Sequence, residues 1–164
     1  QRAAKVFPDH LAVSYGKHRN TYAEYFARCS QLASALTKQG VQSGDVVATL
    51  IPNLPAQAEA HFGVPACGAI VNTINTRLDV DTVAYIFDHG GAKVALVDPQ
   101  FLDLAEAACA QMKGEAPILI EVADDQAGYH ATGKHMEYEA LLATGDPEFE
   151  WLMPQDEWES LALN

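Results

Sequence analysis

The sequence predicts an α/β fold: a largely parallel sheet of βαβ units with covering helices, preceded by an N-terminal β-hairpin. Two observations predict the sheet. Four apolar runs, "VVATLI" from Val46, "AIVNTI" from Ala69, "KVALVD" from Lys93 and "PILIEV" from Pro117, start 23 or 24 residues apart, which is the length of a strand plus a crossover helix. Each run is continuous in Val, Ile and Leu rather than alternating, as expected of strands covered on both faces. A third observation is that the segments between them carry apolar residues at helical spacing. The order is therefore βαβαβαβ with right-handed crossovers. The units are not self-similar, so the spacing reflects architecture and not a repeat.

The elements follow in chain order. "LAVSY" and "RNTY" flank "GKH", and a Gly among polar residues between two apolar-rich runs predicts the hairpin. Thr21 and Glu24 have the spacing of a capping box. Tyr22, Phe26, Cys29, Ala33 and Leu36 then recur on one face, and Gly40 marks the stop, so a helix is expected over 22–39. Leu54, Ala58 and Phe62 are expected to line the next helix. Val80, Val83, Ala84 and Phe87 line the one after, opened by Asp79 or Asp81 and closed by "HGG". Phe101, Leu104, Ala105, Ala108 and Met112 line a third. Beyond Val122 the pattern loosens into a polar surface loop, "ADDQAGYHATGKH", a short helix near "YEALLATG", and an irregular stretch punctuated by Pro147 and Pro154. A strand from Ser160 closes the chain. The chain thus divides into residues 1–122, an N-terminal α/β core, and residues 123–164, a loop, short helix and final strand.

Composition excludes several functions. With 10 Lys and Arg against 22 Asp and Glu the net charge is −12, which repels nucleic acid and anionic membranes, and no basic cluster offsets it. The longest apolar run falls well short of the roughly 18 residues of a membrane span. Cys29, Cys67 and Cys109 are odd in number and widely spaced, which fits neither a disulfide framework nor a CxxC metal site. Free thiols in a reducing cytoplasm are expected.

Catalytic motifs are sparse. Neither GxGxxG nor GxxxxGK[ST] is present. His130 and His135 with Asp124 and Asp125 have no spacing of defined metal geometry, so a solvated loop is expected there. His61 and His89 lack a neighbouring nucleophile or orienting carboxylate in sequence, and His89 fits the favourable end of a helix dipole. No Ser lies in a nucleophile-elbow context. One stretch, "NTINTRLDVDT", places Asn72, Asn75 and Arg77 where a parallel strand's carboxyl end meets the next helix, the edge on which open α/β sheets hold ligands. These three are the ligand or interface candidates. The competing account has the Asn side chains bonding turn backbone and Arg77 pairing with a nearby carboxylate.

Read together, "TYAEYFARCSQLASAL", "GVQSGDVVATLIPN", "GVPACGAIVNTINTRL" and "AYIFDHGGAKVALVD" resemble, in order and spacing, the N-terminal part of the adenylate-forming (AMP-binding) acyl-CoA synthetases. "GVPACGAIVNTINTRL" and "GDPEFEWLMPQDEWESLALN" are most similar to the branch that activates fatty and related aliphatic acids. The resemblance implies an enzyme that joins a carboxylic acid to AMP with ATP and Mg2+ and then transfers the acyl group to CoA. It also implies that the chain is an incomplete, non-catalytic subdomain. No catalytic, cofactor or metal position of the family falls on residues 1–164, and a Gly/Ser/Thr-rich phosphate loop is expected beyond Asn164. The implied partners are the remainder of the same enzyme, with its phosphate-loop and C-terminal domains, the carboxylic acid, and a homodimer mate. Within the family the alternative is an aryl-CoA ligase or amino-acid adenylation domain. Outside it, the alternative is a free-standing, non-enzymatic α/β interaction module.

Overall fold

The computed structural model describes residues 1–163. A short helix α1 (Arg2–Val6), which the sequence pattern did not reveal, precedes β1 (Leu11–Tyr15) and β2 (His18–Thr21), the two strands of the expected antiparallel hairpin. Helix α2 (Tyr22–Lys38) starts at the expected capping box. The Glu24 amide donates to Thr21 Oγ1 at 3.3 Å and the Thr21 amide donates to Glu24 Oε2 at 2.8 Å, so two otherwise unpaired N–H groups are satisfied reciprocally.

There follow β3 (Val46–Leu50), α3 (Pro55–Ala66), β4 (Ile70–Thr73), α4 (Val80–Gly90), β5 (Ala92–Val97), a 3-10 turn (Pro99–Phe101), α5 (Leu102–Gln111), β6 (Ile118–Glu121), β7 (Met136–Glu137), α6 (Tyr138–Ala143) and β8 (Ala162–Leu163). Six strands form one all-parallel sheet in the order β7-β6-β5-β3-β4-β8. The predicted fold class is the observed one. Helices α2, α3 and α6 contribute to the core on one face, with Leu32, Val64, Leu141 and the sheet residues Val47, Val94 and Ile120. Helices α4 and α5 cover the other, where Val83, Phe87, Leu102 and Ala105 meet Ala48, Ala95 and Val97. Residues of opposite parity along each strand thus feed separate cores, which is why the runs are apolar throughout. In α4, Asp79 rather than Asp81 is the cap, accepting from the Thr82 amide at 2.8 Å, and Gly91 at φ 63° ends the helix.

Three expectations need correction. Of Leu54, Ala58 and Phe62, only Leu54, at the cap of α3, is buried in the core: Phe62 is 53% exposed, and the helix itself buries Ala56, Glu59, Ala60, Gly63, Val64 and Ala66. Small side chains are needed because α2 lies close. A Cβ on Gly63 would stand 2.9 Å from the Cys29 carbonyl oxygen. The loop after Val122 is exposed for most of its length, yet it is not free. The buried Glu121 carboxylate accepts from Thr132 Oγ1 at 2.8 Å and from the His135 amide at 2.9 Å, and so guides the chain into β7, a strand not foreseen. Residues 146–159 are irregular, as expected, but anchored: Trp151 Nε1 donates to Ser30 Oγ at 2.8 Å, its ring stacks on Phe26 at 4.8 Å, and the Leu152 amide donates to the Ala66 carbonyl at 2.8 Å. This anchoring delivers β8 to the edge beside β4. Only Ala162–Leu163 of the expected closing strand is strand, and its last residue, Asn164, lies outside the described residues.

Candidate functional site

A parallel sheet aligns all its strands' carboxyl ends on one edge, so the residues that follow those strands meet there. Asn72 lies in β4 between Ala48 of β3 and Leu163 of β8. It is buried, and its side chain makes no hydrogen bond among the described residues. Gly90 makes room for it, since a Cβ there would lie 3.3 Å from Asn72 Nδ2. Asn75 Oδ1 accepts from the Arg77 amide at 3.0 Å, a local turn bond. Arg77 is exposed and forms no ion pair among the described residues. The three candidates are therefore near in sequence, but no hydrogen bond joins their side chains.

The same edge holds a second group that sequence reasoning did not single out. Asp98, directly after β5, is fully buried. Its Oδ1 accepts from the Gln100 amide at 2.9 Å, while its Oδ2 has no partner among the described residues. Burial, with the nearby charge of Asp124, pushes its carboxyl up from the ordinary value. Thr49 of β3 is likewise buried, its hydroxyl unpartnered among the described residues. Asp124 accepts from the Tyr15 hydroxyl at 2.6 Å, tying the hairpin to the end of β6; this bond, then burial, raises the Tyr15 phenol above its usual value. A cavity of about 350 Å³ opens there, lined among others by Tyr15, His18, Arg28, Asp124, Gln126 and Glu139. The signal for Asp98 was legible in "KVALVD", where an acid follows a buried strand at the carboxyl edge.

In the cavity wall runs an ionic network centred on a buried acid. Glu59 of α3 is fully buried, receives Arg28 Nε at 2.5 Å and accepts from the Tyr138 hydroxyl at 2.7 Å. Arg28 also reaches Glu139 at 2.5 Å. Burial works against the Arg28 charge, but the bonds to Glu139 and Glu59 outweigh it and hold the guanidinium above its ordinary value. Burial beside Glu59 pushes the Cys29 thiol up to about 12, which leaves it an unreactive core group. All three cysteines are free, with Cys109 half-buried.

The histidine groupings do not converge. His130 Nδ1 meets Asp125 at 2.5 Å, whereas His135 Nε2 meets Glu106 at 2.9 Å. Among the described residues no group of three or more His, Cys, Asp or Glu side chains is arranged to hold a metal ion. His61 contacts the Gln57 carbonyl at 2.7 Å, and His89 stacks on Tyr85 at 5.1 Å. Among the described residues no helix is long and apolar enough to cross a membrane.

Fold and edge together define a class: an open parallel α/β sheet whose unpaired polar groups gather at its carboxyl edge. The family model described as AMP-binding enzyme matches residues 1–159, and the chain belongs to that family. It is 40% identical over 173 residues to a peroxisomal acetate/butyrate–CoA ligase of Arabidopsis thaliana, covering 99% of this chain and 30% of the relative. It is 38% identical over 174 residues to an acetate–CoA ligase of Humulus lupulus, covering 99% of this chain and 31% of the relative. The fold matches the crystal structure of the anthranilate CoA ligase AuaEII in complex with anthranoyl-AMP with a TM-score of 0.88 at 21% identity, over 99% of this chain and 30% of that one. The chain thus spans about three tenths of the length of the curated relatives it matches.

Proposed function

We propose that the protein to which this chain belongs is an AMP-forming acyl-CoA synthetase for short aliphatic carboxylic acids, with acetate and butyrate as leading substrates. The observation that carries this reading is the family match over residues 1–159 together with 38–40% identity to ligases named for those acids. In such a reaction the carboxylate attacks the α-phosphate of ATP, pyrophosphate leaves, and the CoA thiol then displaces AMP from the acyl-adenylate. Phosphoryl transfer of this kind is driven by positioning and by cationic and N–H groups around the developing charge.

In this reading residues 1–122 and 123–164 form one scaffold, and the phosphate-binding loop and C-terminal domain belong to the remainder of the enzyme. The described residues offer Mg2+ no ligand set, so no step is assigned to it. Asn72, Asn75 and Arg77 serve as contacts from the sheet edge to ligand or neighbouring domain, and an interface with a second copy is the further partner. The compartment is a reducing one, cytoplasm or peroxisome, in keeping with three free thiols and the relative named as peroxisomal. The test is ATP–pyrophosphate exchange by the full-length protein with acetate, butyrate and benzoate. Exchange led by acetate or butyrate is expected, exchange led by benzoate would transfer the protein to the aryl branch, and no exchange with any carboxylate would sink the proposal.

A further inference from the structure

Residues 123–130 cross the carboxyl end of β6 as a strap. The strap closes on itself, with the Asp124 amide donating to the Tyr129 carbonyl at 2.8 Å and the Tyr129 amide donating back at 2.9 Å. It has almost no core of its own, since every residue from Asp125 to His130 is exposed. Polar bonds to the hairpin hold it instead. The Tyr15 hydroxyl donates to Asp124 Oδ2 at 2.6 Å. The Gln126 side-chain amide then pairs with backbone on both sides of the hairpin turn: Nε2 donates to the Tyr15 carbonyl at 2.9 Å, and Oε1 accepts from the Lys17 amide at 3.0 Å. Between them Gly16 sits at φ 51°, and a Cβ there would collide with the Gln126 carboxamide. The turn is shaped to admit this one side chain.

Strap and hairpin together wall the cavity at the sheet edge, which also includes His18, whose Nε2 is buried and without a hydrogen-bond partner among the described residues. We propose that residues 123–130 are a releasable cover on this cavity and that the Gln126 carboxamide is its fastening. A segment with little buried apolar surface opens at a small fraction of the global unfolding free energy, so its three bonds to the hairpin, two of them from the Gln126 carboxamide, govern how often it lifts.

The experiment compares the full chain with its Gln126→Ala variant by peptide-resolved hydrogen exchange and by the rate at which diethyl pyrocarbonate modifies His18. Because Gln126 is exposed, its truncation leaves the core untouched. Exchange over residues 123–130 and modification of His18 should each rise by roughly fivefold or more, while β3 and β5 keep their protection and the exposed His61 its reactivity. Unchanged His18 reactivity, or a rise spread equally over β3 and β5, would overturn the proposal. As a second variant, Gln126→Asn keeps the carboxamide but shortens its reach. It should behave as the alanine variant does, and wild-type rates would count against the fastening.

Discussion

Glu59 is an acid in the interior of a helix, fully buried and held by Arg28 and the Tyr138 hydroxyl. Nothing in "AQAEAHF" distinguishes it from a solvated helix carboxylate, because its partners come from α2 and α6, 31 and 79 residues away. Arg28→Ala would leave that charge buried with only the tyrosine, and should destabilise the fold by about 3–5 kcal/mol in urea unfolding. Asp98 behaves in the opposite sense. Its folded-state carboxyl titrates above the ordinary 3.8, so the folded chain binds the proton more tightly than the unfolded one. Its contribution is present below pH 3.8 and lost as the pH rises through the folded value. Asp98→Asn, which keeps an acceptor for the Gln100 amide, should therefore match or exceed the parent in stability at pH 7. The difference should shrink on acidification below the ordinary carboxylate value, as measured by denaturant titration at both pH values.

At the scale of elements, caps were legible in sequence and helix faces were legible only where large residues defined them. Thr21 and Glu24 cap α2 as their spacing requires, and Thr21→Ala should cost about 1 kcal/mol of stability. Val83 and Phe87 mark the buried face of α4 as predicted. In α3 the largest residue misled: Phe62 points outward against Tyr25, with ring centroids 6.1 Å apart, and the inner face is chosen by smallness. Gly63→Ala would push α2 and α3 apart and should destabilise by about 1–3 kcal/mol, with the loss seen as a lowered unfolding midpoint. The strap and β7 escaped the sequence reading for a related reason. Their organising groups are Glu121, Asp124 and Gln126, polar residues with no periodicity to announce them.

For the whole molecule, the proposed division of labour has a direct consequence. Isolated, this chain should give no saturable heat with ATP or CoA up to about millimolar ligand in calorimetry, the regime of binding weaker than about −4 kcal/mol. Micromolar affinity would place a nucleotide site within these residues and contradict the scaffold role. The sequence by itself determined the parallel sheet, its covering helices, the hairpin and the family, because burial on both faces imposes continuous apolar runs and because crossover helices impose their spacing. The tertiary structure alone decided which strands are neighbours, that β7 and β8 extend the sheet at opposite edges, and that Tyr15 and Asp124 bond beside Asp98, while no hydrogen bond joins the side chains of Asn72, Asn75 and Arg77 among the described residues. The physical reason is range. Periodicity and capping act over a few residues and are written locally, whereas a buried carboxylate's partners and a strap's fastening come from segments brought together only when the sheet closes its order.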